Sequence, residues 1–349
     1  MARVETQTAA RARKRIARRR RRDYAQPLRR AVQWAFLALN IWIGIEFYFW
    51  VRYYETGGAT VYVTRPPGVE GWLPIASLMN LKYWIVTGDV PRIHPAGMFL
   101  LVAFLGIAFL LRKSFCSWLC PVGTVSEWLW RAGRSIFGRN FRLPKWFDIA
   151  LRSLKYMLLA LFLYAVGSMT AEAIRAFLEG PYGLISDVKM LNFFRHMGTA
   201  TAVIVGALAI GSVFYQNFWC RYLCPYGALL GLAARWSPVR VRRSATVCID
   251  CTKCAKACPS LLPVDVLFTV RSPECTGCYE CVASCPAAGA LEMTAGRRRV
   301  LPAWAMAACI ALVFIAVAGY ARWAGHWRTD LPPEVLFDLV PRAAEFPHP

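Results

Sequence analysis

Cys248-Ile-Asp-Cys251-Thr-Lys-Cys254-Ala-Lys-Ala-Cys258-Pro259 and Cys275-Thr-Gly-Cys278-Tyr-Glu-Cys281-Val-Ala-Ser-Cys285-Pro286 repeat one spacing. Three thiolates on a short loop can wrap three irons of a cubane, while the fourth cysteine reaches the neighbouring cluster. The spacing therefore groups Cys248, Cys251, Cys254 and Cys285 around one [4Fe-4S] cluster and Cys275, Cys278, Cys281 and Cys258 around a second. Zinc is the competing reading. Structural zinc takes two ligand pairs per site, which two four-cysteine runs each ending in Cys-Pro fit poorly. A two-cluster ferredoxin-like domain of α+β type is expected over 248–293, on a side of the membrane where thiols stay reduced.

Outward from this domain the chain is apolar. It has 349 residues, 57% of them hydrophobic, with a formal charge of +22. Disordered, collagenous and small disulfide-stapled classes are excluded, because twelve of the thirteen cysteines fall in tight clusters. Residues 1–30 hold 12 basic and 2 acidic side chains, including the run Arg18 to Arg22. That segment is read as a solvated, positive-inside tail and not as a nucleic-acid binder. Five apolar stretches follow, at about 31–51, 96–111, 149–169, 198–218 and 302–320, each near the roughly 20 residues a helix needs to cross hydrocarbon. Leu73 to Val86 is shorter and is read as an interfacial or re-entrant helix.

The Lys and Arg bias places the N-terminus and the ferredoxin domain in the cytoplasm and the C-terminus in the periplasm of a bacterial inner membrane. The expected fold is an α-helical multi-pass membrane protein of about five spans with an inserted ferredoxin-like domain. Its units are a tail (1–30), a membrane domain with four spans (31–247), the cluster domain (248–293) and a fifth span with a periplasmic tail (294–349).

A second repeat lies in the membrane domain. Cys116-Ser-Trp-Leu-Cys120-Pro121-Val-Gly123 matches Cys220-Arg-Tyr-Leu-Cys224-Pro225-Tyr-Gly227, each at the end of a span. Residues four apart share a helix face, and the proline is expected to end each helix. If the halves pack together, the four thiolates Cys116, Cys120, Cys220 and Cys224 can hold a third cluster or a copper ion; otherwise they only pack against a partner or a quinone. His94 and His196 mark the opposite membrane face, where they could ligate haem, bond a quinone carbonyl or simply be solvated. Glu46, an ionisable group inside the first span, is a functional candidate whose alternative is snorkelling toward water. Cys309 reads as a small apolar residue.

These motifs resemble the membrane polyferredoxins of the NapH type, with NosR and the oxidase-assembly protein CcoG more distant. The resemblance covers roughly 65–293. It rests on the two Cys-x3-Cys-Pro segments and the two ferredoxin runs, and extends to Arg65-Pro-Pro-Gly68, Leu81-Lys-Tyr83 and His94-Pro95. It implies a subunit, of quinol dehydrogenase type, that exchanges electrons with the quinone pool and passes them through clusters to a redox partner protein. Two other classes compete with it: a copper-reducing or oxidase-assembly factor, and a cluster-based redox regulator. The last span and its acidic tail with Asp330, Glu334 and Asp338 depart from the shorter NapH pattern.

Overall fold

The computed structural model describes residues 23–296 and 299–347. The Arg18 to Arg22 run and Arg297 lie outside them. The chain is mostly helical. The first helix, α1 (Ala25–Glu55), is followed by a 3-10 turn at Pro67–Trp72, then α2 (Pro74–Thr87) and α3 (Pro95–Leu111). Next come α4 (Phe115–Trp118), α5 (Pro121–Phe137), α6 (Lys145–Ser168), α7 (Ala171–Glu179), α8 (Pro181–Leu184) and α9 (Ser186–Arg195). The membrane repeat closes with α10 (Thr199–Phe214), α11 (Phe218–Tyr222) and α12 (Pro225–Ala233).

Strand β1 (Val239–Arg243) then opens a smaller unit containing α13 (Lys253–Ala257), α14 (Glu280–Ala283), β2 (Leu291–Ala295) and β3 (Arg299–Val300). Helices α15 (Ala303–Trp323) and α16 (Pro333–Leu339) complete the chain.

Among the described residues three helices are long and apolar enough to cross a membrane: α1, α6 and α15. Their outward faces carry exposed Ile45, Phe49, Leu161, Tyr164, Leu312 and Ile315, the pattern of surfaces that meet lipid and not water. Helix α3 has 17 residues and α10 has 16, about 25 Å each at 1.5 Å per residue, somewhat under a hydrocarbon core of about 30 Å. Helix α10 also meets α9 at 81°. Apolar all round, α3 is enclosed by α2, α12 and α15, as a helix without a polar face must be. The stretch at 73–86 forms α2, a 14-residue helix against α3.

The small unit is wider than its cysteine runs. Strands β1, β2 and β3 form an antiparallel sheet in which Val239 faces Ala295 and Val241 faces Met293. Alternation puts Val239, Val241, Leu291 and Met293 into a core shared with Leu111, Phe115 and Trp118 of the membrane domain. The two domains therefore share one apolar core.

The tail boundary expected at residue 30 is corrected. Helix α1 starts at Ala25, and Arg29 is fully buried. At 31 residues α1 is about 46 Å long, so its first turns project beyond the hydrocarbon. There Arg29 donates to both carboxylate oxygens of Glu127 at 2.7 Å and to Glu280 at 3.0 Å. These partners are 98 and 251 residues away, so composition alone reads the arginine as solvated.

Candidate metal centres

The two ferredoxin loops have matching backbones. Asp250 and Gly277 occupy the same position after the first cysteine, with φ of 53° and 62°; Thr252 and Tyr279 follow at 58° and 60°. Left-handed residues at these points curl each loop inward. The curl gathers Cys248, Cys251, Cys254 and Cys285 on one small cavity, together with Arg243, Asp250 and Asp265. Cys258, Cys275, Cys278 and Cys281 gather on another, closed by Val241, Val264, Tyr279 and Met293. Each cavity thus takes three cysteines from one run and the fourth from the other. The thiols line their cavities without closing on a point: among the described residues no three His, Cys, Asp or Glu side chains could share one ion. A multi-iron group fits such a set, whereas a single zinc needs its sulfurs about 2.3 Å from one centre.

The Cys-x3-Cys-Pro segments take a shape different from the expected one. Pro121 and Pro225 begin α5 and α12 rather than merely ending the preceding helix, because a proline lacks only an N–H that the first turn leaves unpaired anyway. Cys120 and Cys224 are the N-caps of those helices. Their Sγ atoms accept from the amides of Gly123 at 3.4 Å and Gly227 at 3.3 Å. Gly123 is obligatory here, since a Cβ would lie 2.3 Å from the Cys116 carbonyl oxygen.

All four cysteines line one cavity of about 610 Å³ between α1, α3, α6 and the two repeats. Its wall is largely apolar, with Phe36, Leu39, Trp72, Leu101 and Phe162, and it also carries Lys113, Glu127 and Glu274. Burial pushes the Cys116 thiol up to about 11, against the pull of Lys113, and the Cys120 thiol up to about 12. Burial also works against the Lys113 charge, but Cys116 and Glu274 outweigh it and hold its pKa above the ordinary lysine range. The membrane-edge cavity and the second ferredoxin cavity share Pro259, Ser260, Thr276 and Cys278. We call this ferredoxin cavity the inner one and the other the outer one.

The remaining candidates separate. His94 is buried, and both ring nitrogens face protein: Nδ1 lies 3.2 Å from Arg65 Nη2, and Nε2 lies 2.9 Å from the Gly183 carbonyl and 3.0 Å from Ser186 Oγ. Arg65 also donates to Glu70 at 2.7 Å and to Asp187 at 2.7 Å, while Glu70 accepts from Thr329 at 2.8 Å and from the Gly97 amide at 3.1 Å. Burial opposes the Glu70 charge, yet Arg65 outweighs it and holds the carboxyl at about 2. His94 is thus bound into an ion network rather than turned to a ligand. His196, at the end of α9, is exposed, and Glu46 stands half-buried on α1. Cys309 packs against the main core.

The networks at Arg29 and Glu70 escaped the sequence reading. Their only signal was the Arg65 and His94 segments of the family resemblance.

Two family models match the chain: a 4Fe-4S binding domain at residues 93–144 and 197–244, and a 4Fe-4S dicluster domain at 240–286. The first falls on both membrane-edge repeats and the second on the ferredoxin runs. The candidate electron transport protein YccM of Escherichia coli (strain K12) is 52% identical over 326 residues, which cover 92% of this chain and 91% of YccM. The chain belongs to the ferredoxin-type membrane electron-transport proteins. The ferredoxin-type protein NapH of the same organism is 24% identical over 74% of this chain and 85% of its own. Protein NirI of Paracoccus denitrificans (strain Pd 1222) is 29% identical over 64% of this chain but only 33% of its own. No solved structure matches. The protein is a membrane electron-transfer protein that binds iron-sulfur clusters through its 4Fe-4S domains.

Proposed function

We propose that the protein is a quinol-linked redox subunit of the bacterial inner membrane. The reading is carried by one observation: four membrane-edge thiols line an apolar cavity whose wall is shared with the inner ferredoxin cavity. A quinone ring and its isoprenoid tail match such a cavity, apolar over most of its wall with a few polar side chains among the lining. Cys248, Cys251, Cys254 and Cys285 would hold one [4Fe-4S] cluster, and Cys258, Cys275, Cys278 and Cys281 the other. Each supplies a one-electron couple when bound. The count balances: oxidation of one quinol to quinone releases two electrons, one for each cluster, and two protons, which pass to water.

Cys116, Cys120, Cys220 and Cys224 are soft donors on one cavity and suit a third metal centre. The shared cavity also admits a second reading, in which a copper ion at these thiols takes its electron from the reduced clusters. In the first reading α1, α3, α6, α10 and α15 all cross, with the short α3 and α10 reaching the interfaces through their flanking loops. The N-terminus and ferredoxin unit then face the cytoplasm and the C-terminus the periplasm. A separate redox partner protein takes or supplies the electrons.

The test is anaerobic purification followed by iron and sulfide analysis, then addition of a short-chain quinol. About eight irons and eight acid-labile sulfides from the ferredoxin unit, with quinol-dependent bleaching of cluster absorbance, are expected. Zinc in place of iron overturns the proposal. Cluster oxidation that depends on added Cu(II) and ignores quinone favours the second reading, and a response to neither favours a regulator.

A further inference from the structure

The residues enclosed by the paired cysteines grip the inner ferredoxin cavity from two sides. In the first repeat, Ser117 Oγ donates to the Thr276 carbonyl at 2.7 Å and Trp118 Nε1 donates to the Gly277 carbonyl at 3.2 Å. Both acceptors lie between Cys275 and Cys278. Trp118 is fully buried, edge-on to Tyr279 at 6.2 Å. The Ser117 carbonyl is itself held by Arg29 at 3.1 Å and Gln33 at 3.0 Å, while Gln26 Nε2 donates to the Cys278 carbonyl at 2.8 Å.

In the second repeat, Arg221 Nη1 donates to the Ser260 carbonyl at 2.8 Å, two residues beyond Cys258. Its guanidinium is fixed by both oxygens of Asp148, at 2.8 and 2.9 Å. Each membrane repeat thus holds one of the two chain segments that bring cysteines to the inner cavity.

We infer that Ser117, Trp118 and Arg221 are positioning residues for the inner cluster, and that they raise its reduction potential above that of the outer one. The inference rests on the reading that both cavities hold [4Fe-4S] clusters. The physical reason lies in the peptide group. A carbonyl that accepts a strong hydrogen bond polarises its own peptide, and the N–H of that peptide becomes a stronger donor. The peptides capped by Ser117 and Trp118 carry the N–H groups of Gly277 and Cys278, in the loop that lines the inner cavity. Hydrogen bonding and partial positive charge around cluster sulfurs favour the reduced, more negative state, as does the positioning of ligands by groups behind them. In the corresponding outer loop Asp250 and Thr252 are exposed, and the outer cavity carries Asp250 and Asp265 against the single cation Arg243, which pairs with Asp250 at 3.7 Å. The two halves of the ferredoxin unit share a backbone, yet their surroundings differ, and the difference places the better acceptor against the membrane cavity.

The experiment is an EPR-monitored redox titration of the purified full-length protein, with iron and sulfide measured on each sample. Asp250→Asn, on the exposed loop, removes the charge near the outer cavity and identifies the outer couple by moving it to higher potential. The double variant Ser117→Ala/Trp118→Phe removes both donors while keeping an aromatic ring against Tyr279. It should lower the reduced-to-oxidised ratio of the other couple about tenfold at fixed potential, which is 59 mV for one electron, with iron content unchanged. Should the double variant lose its iron, Ser117→Ala alone carries the comparison, with a smaller shift of the same couple. Both midpoints unmoved, or a shift in the couple that Asp250→Asn moves, overturns the inference. Wild-type protein without two cubanes overturns instead the reading on which it rests.

Discussion

Replacing Glu70 with glutamine removes one charge from the buried network around Arg65 and leaves the side chain's size almost unchanged. Glu70 is fully buried, accepts from Arg65, Thr329 and the Gly97 amide, and has its carboxyl held at about 2 against an ordinary 4.5. At 1.36 kcal/mol per pH unit this preference for the charged form is worth about 3 kcal/mol. Glutamine keeps a single acceptor oxygen, enough for Thr329 on one side or the Gly97 amide on the other but not both, and it leaves Arg65 with Asp187 as its remaining anion. Uncompensated buried charge costs about 3–5 kcal/mol, so a loss of about 3 is consistent with partial compensation.

The sign follows from the depressed value. Below its unfolded pKa the unfolded chain binds the proton first, so the contribution is complete above about 4.5 and disappears as the pH falls toward 2. The assay is thermal unfolding in detergent, read by tryptophan fluorescence, since Trp50 lies under the Arg65 guanidinium at 5.9 Å. Glu70→Gln should melt about 5 °C or more below wild type at pH 7, and the gap should narrow between pH 5 and pH 3. Equal melting at pH 7, or a gap independent of pH, refutes the reasoning.

Other perturbations follow from the same geometry. Cys116→Ser and Cys220→Ser should keep the cubane spectrum and protein level while quinol-driven cluster reduction falls sharply, because serine matches cysteine in size but is a poor soft-metal ligand; wild-type rates in both and in the double variant reject a convergent centre. Gly133→Ala should lower the melting temperature by the equivalent of about 1–3 kcal/mol, since the new Cβ would fall 1.9 Å from the Val213 carbonyl oxygen, where α5 meets α10. A reporter fused at Pro349 should behave as exported, and a cytoplasmic signal there would mean that one of the five apolar stretches does not cross.

The ferredoxin loops were legible because their pattern is local: seven or eleven consecutive residues carry the cysteines, and the left-handed turns at Gly277 and Asp250 are set within them. The apolar helices were legible by composition. The pairing of Cys116 and Cys120 with Cys220 and Cys224 was visible only as an alternative, since it depends on how two repeats pack.

What sequence could not carry was long-range charge matching. Arg29 belongs by composition to a basic tail, and only Glu127 and Glu280 make it an interior residue. His94 looked like a ligand by type, but Arg65, Gly183 and Ser186 occupy its nitrogens. The helices begun by Pro121 and Pro225 show the reverse case: the sequence carried the signal, and its starting role was the half left unread.

The clamp of Trp118 and Ser117 over the inner loop bears on biogenesis. Cys258 and Cys281 are buried, and the carbonyls beside Cys278 are sealed against α1 and α4. A cluster in the inner cavity would therefore be easier to load before these contacts close than after. The ribosome imposes the same order, releasing this unit after α1 to α12 and before α15. Synthesis thus leaves an interval, before α15 closes on α3, in which the inner cavity would be open to loading.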